Sequence, residues 1–282
     1  ASESAGLTMT GQPNGRSGTA PPGQNCFDLQ LGNVQGIGTR QTQEDSFAFS
    51  GASGAAASTK DGVVAVLADG MGGMAHGRAC SEAAVAGLCA LYAELGGDAP
   101  MDTLKAGVDR LNQSIFERFD GKSGTTALAA YLNQDGIRWL SIGDSAIFLR
   151  RGDGVYQLNC AHNQRNALYI RALSEEPMNP LPAQQNPDAP RLRSFLGMRV
   201  RPEIDISIRP LPLKTGDAIL LCSDGISGVL NTQELLRAMS LPPAEGCAQL
   251  ETMILEKNSG SQDNYTGILI AYTGGAICDE EA

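Results

Sequence analysis

Basic residues are scarce in this chain: 21 Lys and Arg stand against 31 Asp and Glu, for a formal net charge of -10 over 282 residues. A general nucleic-acid binder is excluded, because that affinity rests on Lys and Arg neutralising phosphates. Long apolar runs are missing too. Stretches such as Val63 to Ala68 and Ala218 to Cys222 fall far short of the ~20 residues of a membrane span. No charged-then-apolar secretory segment opens the sequence as given. The seven cysteines (Cys26, Cys80, Cys89, Cys160, Cys222, Cys247, Cys278) form no CxxC pair and no Cys/His cluster. An odd, scattered set implies neither a disulfide framework nor a zinc site, and free thiols fit a reducing cytoplasm.

What is abundant is glycine, 34 of 282 residues, or about 12% against a usual ~7%. Residues 1–24, rich in Gly, Ser, Thr and Pro without hydrophobic period, read as a flexible tail, leaving 25–282 for a folded domain. From Phe27 onward short apolar runs bounded by Gly, Asp or Asn predict strands. These are Asp28 to Val34, Ser46 to Phe49, Val63 to Ala68, Ala127 to Leu132, Trp139 to Ile142, Ala146 to Arg150, Val155 to Leu158, Ile204 to Leu211, Ala218 to Cys222 and Thr266 to Tyr272. Helical spacing predicts Arg78 to Leu95 and Thr103 to Phe119, and Asn231 caps a helix running to Met239. Strands outnumber helices and the two long helices are consecutive, so the fold class is α+β with antiparallel sheets, not a doubly wound βαβ fold. Five prolines in Ser174 to Pro190 mark a long loop, read as an insertion near a site.

One pattern repeats. The strand Val63 to Ala68 ends in Asp69-Gly70-Met71-Gly72-Gly73, and Ala218 to Ser223 ends in Asp224-Gly225-Ile226-Ser227-Gly228. A third strand ends in Gly143-Asp144-Ser145, and Asp263 precedes the last strand. Asp-Gly alone is a common turn, but two matched units plus two further strand-end aspartates point to carboxylates gathered at one sheet edge. Unpaired, they would repel and raise one another's pKa values. A bound cation removes that cost, and ligands without His or Cys select Mg²⁺ or Mn²⁺ over zinc. A shared carboxylate can bridge two such ions holding a water for in-line attack on phosphorus. Upstream, Arg40, Glu44 and Asp45 add a phosphate-gripping cation and two acids.

In order, GNVQGIGTRQTQEDSF, VVAVLADGMGG, SGTTALAAYL, WLSIGDSAIF, GDAILLCSDGISGVL and GSQDNYTGILIAY resemble the metal-dependent Ser/Thr protein phosphatases of the PP2C (PPM) family, bacterial type, over about residues 28–273. The resemblance implies two packed antiparallel sheets flanked by helix pairs, with a flap at about 160–196. It implies two Mn²⁺ or Mg²⁺ ions bridged by Asp69, with Gly70 and Glu44 serving one, Asp224 and Asp263 the other, Asp45 supporting that shell, and Asp144 at a third, weaker position. Arg40 falls on the phosphate-binding arginine, and Arg40, Asp69 and Asp224 are the catalytic candidates. The implied substrates are Ser/Thr-phosphorylated proteins, opposite a cognate Ser/Thr kinase, and the chain is read as a cytoplasmic monomer. The alternatives are a phosphoprotein-binding pseudophosphatase or a two-metal hydrolase of small phosphoesters. Three departures stand out: Met71 where animal members carry a His, Ala146 where Arg is common after Gly-Asp-Ser, and Ala161 before His162 where Asp is common. His162 is read as structural or solvent-exposed, and His76 is unassigned.

Overall fold

A computed structural model describes residues 27–50, 56–59, 62–71, 76–257 and 260–274. The tail read at 1–24, together with Cys26, Gly72, Gly73 and Cys278, lies outside the described residues. The first strands are β1 (Phe27–Gly36), β2 (Asp45–Ser50), β3 (Ala56–Thr59) and β4 (Val63–Asp69), followed by helices α1 (Gly77–Leu95) and α2 (Met101–Arg118). Next come β5 (Ala127–Asn133), β6 (Gly136–Ile142), β7 (Ala146–Arg151) and β8 (Gly154–Gln157), then α3 (Gln164–Ala172), α4 (Leu181–Gln185) and β9 (Asp205–Ile206). The chain closes with β10 (Ala218–Cys222), α5 (Asp224–Ser227), α6 (Thr232–Met239), α7 (Pro243–Lys257) and β11 (Tyr265–Gly274).

Two antiparallel sheets result, one ordered β3-β1-β11-β10-β7-β8 and the other β2-β4-β5-β6-β9. Alternation along the apolar strands divides the core. Val63, Ala65 and Leu67 of β4 meet Ile219, Leu221, Ile268 and Ile270 between the sheets. Val64, Val66 and Ala68 turn the other way, against Cys80, Ala84 and Leu88 of α1. On the far side Leu220, Cys222 and Leu269 pack on Leu235, Leu250 and Ile254 of α6 and α7. Helix, sheet, sheet and helix are therefore layered, and the central strands read as unbroken apolar runs because both their faces are covered.

The sequence reading differs from the structure at several elements, among them β3 (Ala56–Thr59), a strand it did not expect. The expected strand Ile204 to Leu211 shrinks to two residues, since Pro210 and Pro212 lack the N–H a ladder needs; beyond β9 the Ser207 N–H donates to the Trp139 carbonyl and Leu211 exchanges hydrogen bonds with Ile137. The segment after Met239, left without an element by the sequence reading, is the 15-residue helix α7. The proline-rich insertion is partly helical, holding α4 (Leu181–Gln185), and the flap ahead of it forms α3, capped by Asn163, whose side chain accepts from the Asn166 N–H. Each apolar layer closes onto the same end of the sandwich, where the loops after β4, β10 and β6 and the loop before β11 emerge.

Candidate metal centre

Pairing register sets the first contact of the site. β2 and β4 run antiparallel with Asp45 opposite Asp69, so the second acid of the Glu-Asp pair lands beside the aspartate that ends β4. The Asp69 backbone is pinned on both sides: its N–H donates to Thr126 Oγ1 at 2.9 Å and its carbonyl accepts from Thr125 Oγ1 at 2.8 Å. Thr126 Oγ1 in turn lies 2.7 Å from Ser145 Oγ, tying the Gly143-Asp144-Ser145 turn to the same point. Gly143 takes φ +99 there, a left-handed turn that glycine adopts without penalty.

Asp224 opens α5, one helical turn rather than a simple Asp-Gly turn. Its neighbour Gly225 is packed against the loop before β11: a Cβ there would sit 2.0 Å from the Asn264 carbonyl oxygen. Gly70 is confined in the same way by the carbonyls of Gly77 and Glu44, at 2.4 and 2.7 Å from an added Cβ. Both glycines therefore admit backbone, not only ligand, at close range. Gly225→Ala is expected to destabilise the fold by about 1–3 kcal/mol through overpacking, measured as a lowered denaturation midpoint.

The loop carrying Arg40 and Glu44 is held by a residue the sequence reading passed over. Asn264 accepts from the Glu44 N–H at 2.9 Å and donates to the carbonyls of Ile37 and Thr42, both at 3.0 Å. Ser223, one residue before Asp224, donates to Asp45 Oδ2 at 2.9 Å and accepts from the Thr266 N–H. Their signal was position: each sits next to a singled-out aspartate, where a small polar side chain can fix the backbone.

Electrostatically the site is under strain. Burial, reinforced by the charges of Asp45, Asp224, Asp144 and Asp263, raises the Asp69 carboxyl well above the ordinary range. Burial also pushes Asp45 up to about 6, partly offset by hydrogen bonds from Thr266 and Ser223. Asp144 rises to about 7 through burial and the charge of Asp224. Asp224 is raised by burial and by Asp263, against the opposing pull of Arg40. Burial raises Glu44, again opposed by Arg40. The Asp69 carboxyl is within hydrogen-bonding reach of both Asp45 and Asp224, and Asp45 Oδ1 is buried with no donor facing it.

The structure thus brings together Glu44, Asp45, Asp69, Asp144, Asp224 and Asp263, with Arg40 at the rim, where Nη2 donates to Asp263 Oδ2 at 2.6 Å. Among the described residues, no three His, Cys, Asp or Glu side chains are spaced to enclose one ion as they stand. The carboxylates contact one another and Arg40 instead. The chemistry of the donors still fits a divalent cation: several buried oxygens, mutually repelling, one without a donor, and no His or Cys sulfur among them.

The departures have local accounts. Met71 donates its N–H to the Gly124 carbonyl, and its Cε lies 3.1 Å from where a Gly124 Cβ would be, beside Phe195. Ala146 is buried and pairs with Cys222 across β7 and β10. His162 Nδ1 accepts from the Gly143 N–H at 3.2 Å, and the His162 N–H donates to the Gly143 carbonyl at 2.8 Å. This ties the flap to the Asp144 turn through a neutral ring, whose pKa burial lowers. His76 lies apart, its ring 5.9 Å from that of Phe119. A cavity of about 630 Å³ opens beside the cluster, with Asp144 and Asp224 at one end and Arg165 and Tyr169 of α3 at the other.

Comparison with known proteins bears on family and fold. The family model for protein phosphatase 2C matches residues 37–253. The protein phosphatase PhpP of Streptococcus pneumoniae is 29% identical over 217 residues, covering 73% of this chain and 84% of PhpP. The Ser/Thr protein phosphatase PstP of Mycobacterium tuberculosis is 28% identical over 211 residues, 72% of this chain and 39% of PstP. The crystal structure of the M. tuberculosis phosphatase superposes with a TM-score of 0.69 at 26% identity, covering 87% of this chain and 99% of that one. A structure of the PstP catalytic domain in complex with two manganese ions gives 0.67 at 25% identity, covering 87% and 98%. With three quarters of its length matched by the family model and its sheets, helix pairs and strand-end aspartates in that order, the chain belongs to the protein phosphatase 2C family.

Proposed function

We propose that the chain, through its domain at 25–282 and flap at about 160–196, hydrolyses phosphoserine and phosphothreonine on proteins with two Mn²⁺ or Mg²⁺ ions. The observation that carries this reading is the convergence of Asp45, Asp69, Asp144 and Asp224 from separate segments into one cluster whose burial and mutual repulsion raise every one of their pKa values. Glu44, Asp69, the Gly70 carbonyl, Asp224 and Asp263 would hold the two ions, Asp45 would brace Asp69, and Asp144 with Asp224 would offer the weaker third position. When bound, the ions would supply positive charge for the phosphate and lower the pKa of water.

Arg40 is placed to bind and orient the phosphate. Its guanidinium is half exposed at the cluster's edge and can exchange the Asp263 carboxylate for phosphate oxygens of the same fork geometry. Met71 has no titratable proton, so the family's His-based donation to the leaving oxygen is absent, and protonation falls to another group. A cytoplasmic monomer acting opposite a Ser/Thr kinase completes the proposal. It is supported by the free state of Cys80, Cys89, Cys160, Cys222 and Cys247 and by one chain supplying all the acids. Among the described residues no helix is long and apolar enough to cross a membrane.

The alternatives are a phosphoprotein-binding role without turnover and hydrolysis of small phosphoesters. The test is hydrolysis of a phosphothreonine peptide with Mn²⁺, with EDTA, and with Asp224→Ala. Activity is expected only in the first case. Full activity in Asp224→Ala would sink the reading, metal binding without turnover on any phosphopeptide would favour the binding role, and turnover of phosphosugars alone would favour a small-phosphoester hydrolase.

A further inference from the structure

The chain is acidic, yet the end of its flap and the loop that follows are not. Residues 190–201 carry Arg191, Arg193, Arg199 and Arg201 with no acid among them, in a protein of net charge -10. Arg201 is neutralised by Asp109 at 2.6 Å. Arg191 and Arg193 are not: among the described residues no carboxylate lies within ion-pair distance of either. Among the described residues, the sole side-chain hydrogen bond of the two guanidiniums runs from Arg193 Nη1 to Gln164 Oε1 at 3.2 Å. Both line a cavity of about 450 Å³ together with Gln164, Asp188 and Phe195, and Asp188 is its one acid.

The backbone around this cavity is held by hydrogen bonds and is linked through Phe195 and Leu196 to the segments that carry the metal centre. The Gln164 N–H donates to the Arg191 carbonyl, the Arg191 N–H to the Asp188 carbonyl and the Arg193 N–H to the His162 carbonyl, at 2.9, 2.9 and 2.8 Å. Phe195, on its wall, packs over Gly124 beside Met71. The next residue, Leu196, bridges to Thr125, whose hydroxyl donates to the Asp69 carbonyl. A phosphorylated polypeptide entering the metal centre from the Met71 side would therefore run past two unpaired guanidiniums. Arg is suited to bidentate carboxylate recognition, and the acidic remainder of the molecule would turn such a segment away elsewhere.

Building on the proposed function, we infer that Arg191 and Arg193 form a specificity site that selects phosphoresidues flanked by Asp or Glu. The test compares two phosphothreonine peptides of equal length, one with acidic and one with neutral flanks, each kcat/KM divided by that for p-nitrophenyl phosphate. The acidic peptide is expected to be favoured about tenfold at low salt, equivalent to about 1.4 kcal/mol. The preference should shrink in 0.5 M NaCl, fall to within about twofold in Arg191→Ala/Arg193→Ala, and persist in Arg191→Lys/Arg193→Lys. Equal rates in the wild type, or a ratio that both double variants leave intact, would overturn the inference, since a purely structural defect lowers all substrates alike. Should p-nitrophenyl phosphate be hydrolysed but neither peptide, the proposed function fails while the site is still read by fluorescence anisotropy of the two labelled peptides. Tighter binding of the acidic peptide, lost in the Ala variant, upholds the inference, and equal binding refutes it.

Discussion

Asp69→Asn is expected to cost about a thousandfold or more in kcat on a phosphothreonine peptide while raising the melting temperature of the metal-free protein. The first effect follows if Asp69 holds the ions, since losing several kcal/mol of charge stabilisation amounts to a loss of that order. The second follows from repulsion. Asp69 is buried against Asp45, Asp224, Asp144 and Asp263, and its ionised form is disfavoured by all of them. An amide of the same shape removes one charge from the cluster and gives the carboxyls of Asp45 and Asp224 a donor. A gain of about 2 kcal/mol, or roughly 5 °C, is expected. Calorimetry with and without EDTA checks both signs. A residue that merely supported the fold would lose stability along with activity.

Acid should stabilise the metal-free protein. Asp45 and Asp144 carry folded-state pKa values of about 6 and about 7 against the ordinary 3.8. Between about pH 4 and pH 7 the folded chain therefore holds protons that the unfolded chain has released, and stability falls as pH rises through that window. The contribution is fully present below the unfolded value and gone above about pH 8. Melting temperature in EDTA is expected to drop by about 5 °C between pH 5.5 and pH 8. Mn²⁺ should reverse the slope, because ions bind the ionised carboxylates and are displaced by protons. An EDTA profile that rises with pH over this range would mean the acids are not clustered as described.

The layered fold was legible where both faces of a strand are covered: Val63 to Ala68 and Ala218 to Cys222 could be little else than buried strands. The aspartates were legible because they repeat at strand ends. Less visible were elements whose determinants lie elsewhere in the chain. Helix α7 carries Cys247, Leu250 and Ile254 at helical spacing after Pro243, a readable signal hidden by the Gly246 that lets it pack against Ala238 of α6. The strand expected through Ile204 to Leu211 was cut by prolines whose missing N–H groups matter only once β6 supplies the partner edge. At the site, Asn264 and Ser223 could be noticed beside their aspartates, but their partners lie 220 and 178 positions away, and local sequence does not name them. The same distance hides the pairing of Arg40 with Asp263.

In the proposed function one cluster would hold two ions, with Asp69 among the ligands of both. Electron paramagnetic resonance of the Mn²⁺-titrated protein tests this directly. Two ions per chain with an exchange-coupled spectrum are expected for the wild type, and loss of the coupling for Asp69→Asn. A single magnetically isolated ion in the wild type, or coupling that survives in Asp69→Asn, would contradict it.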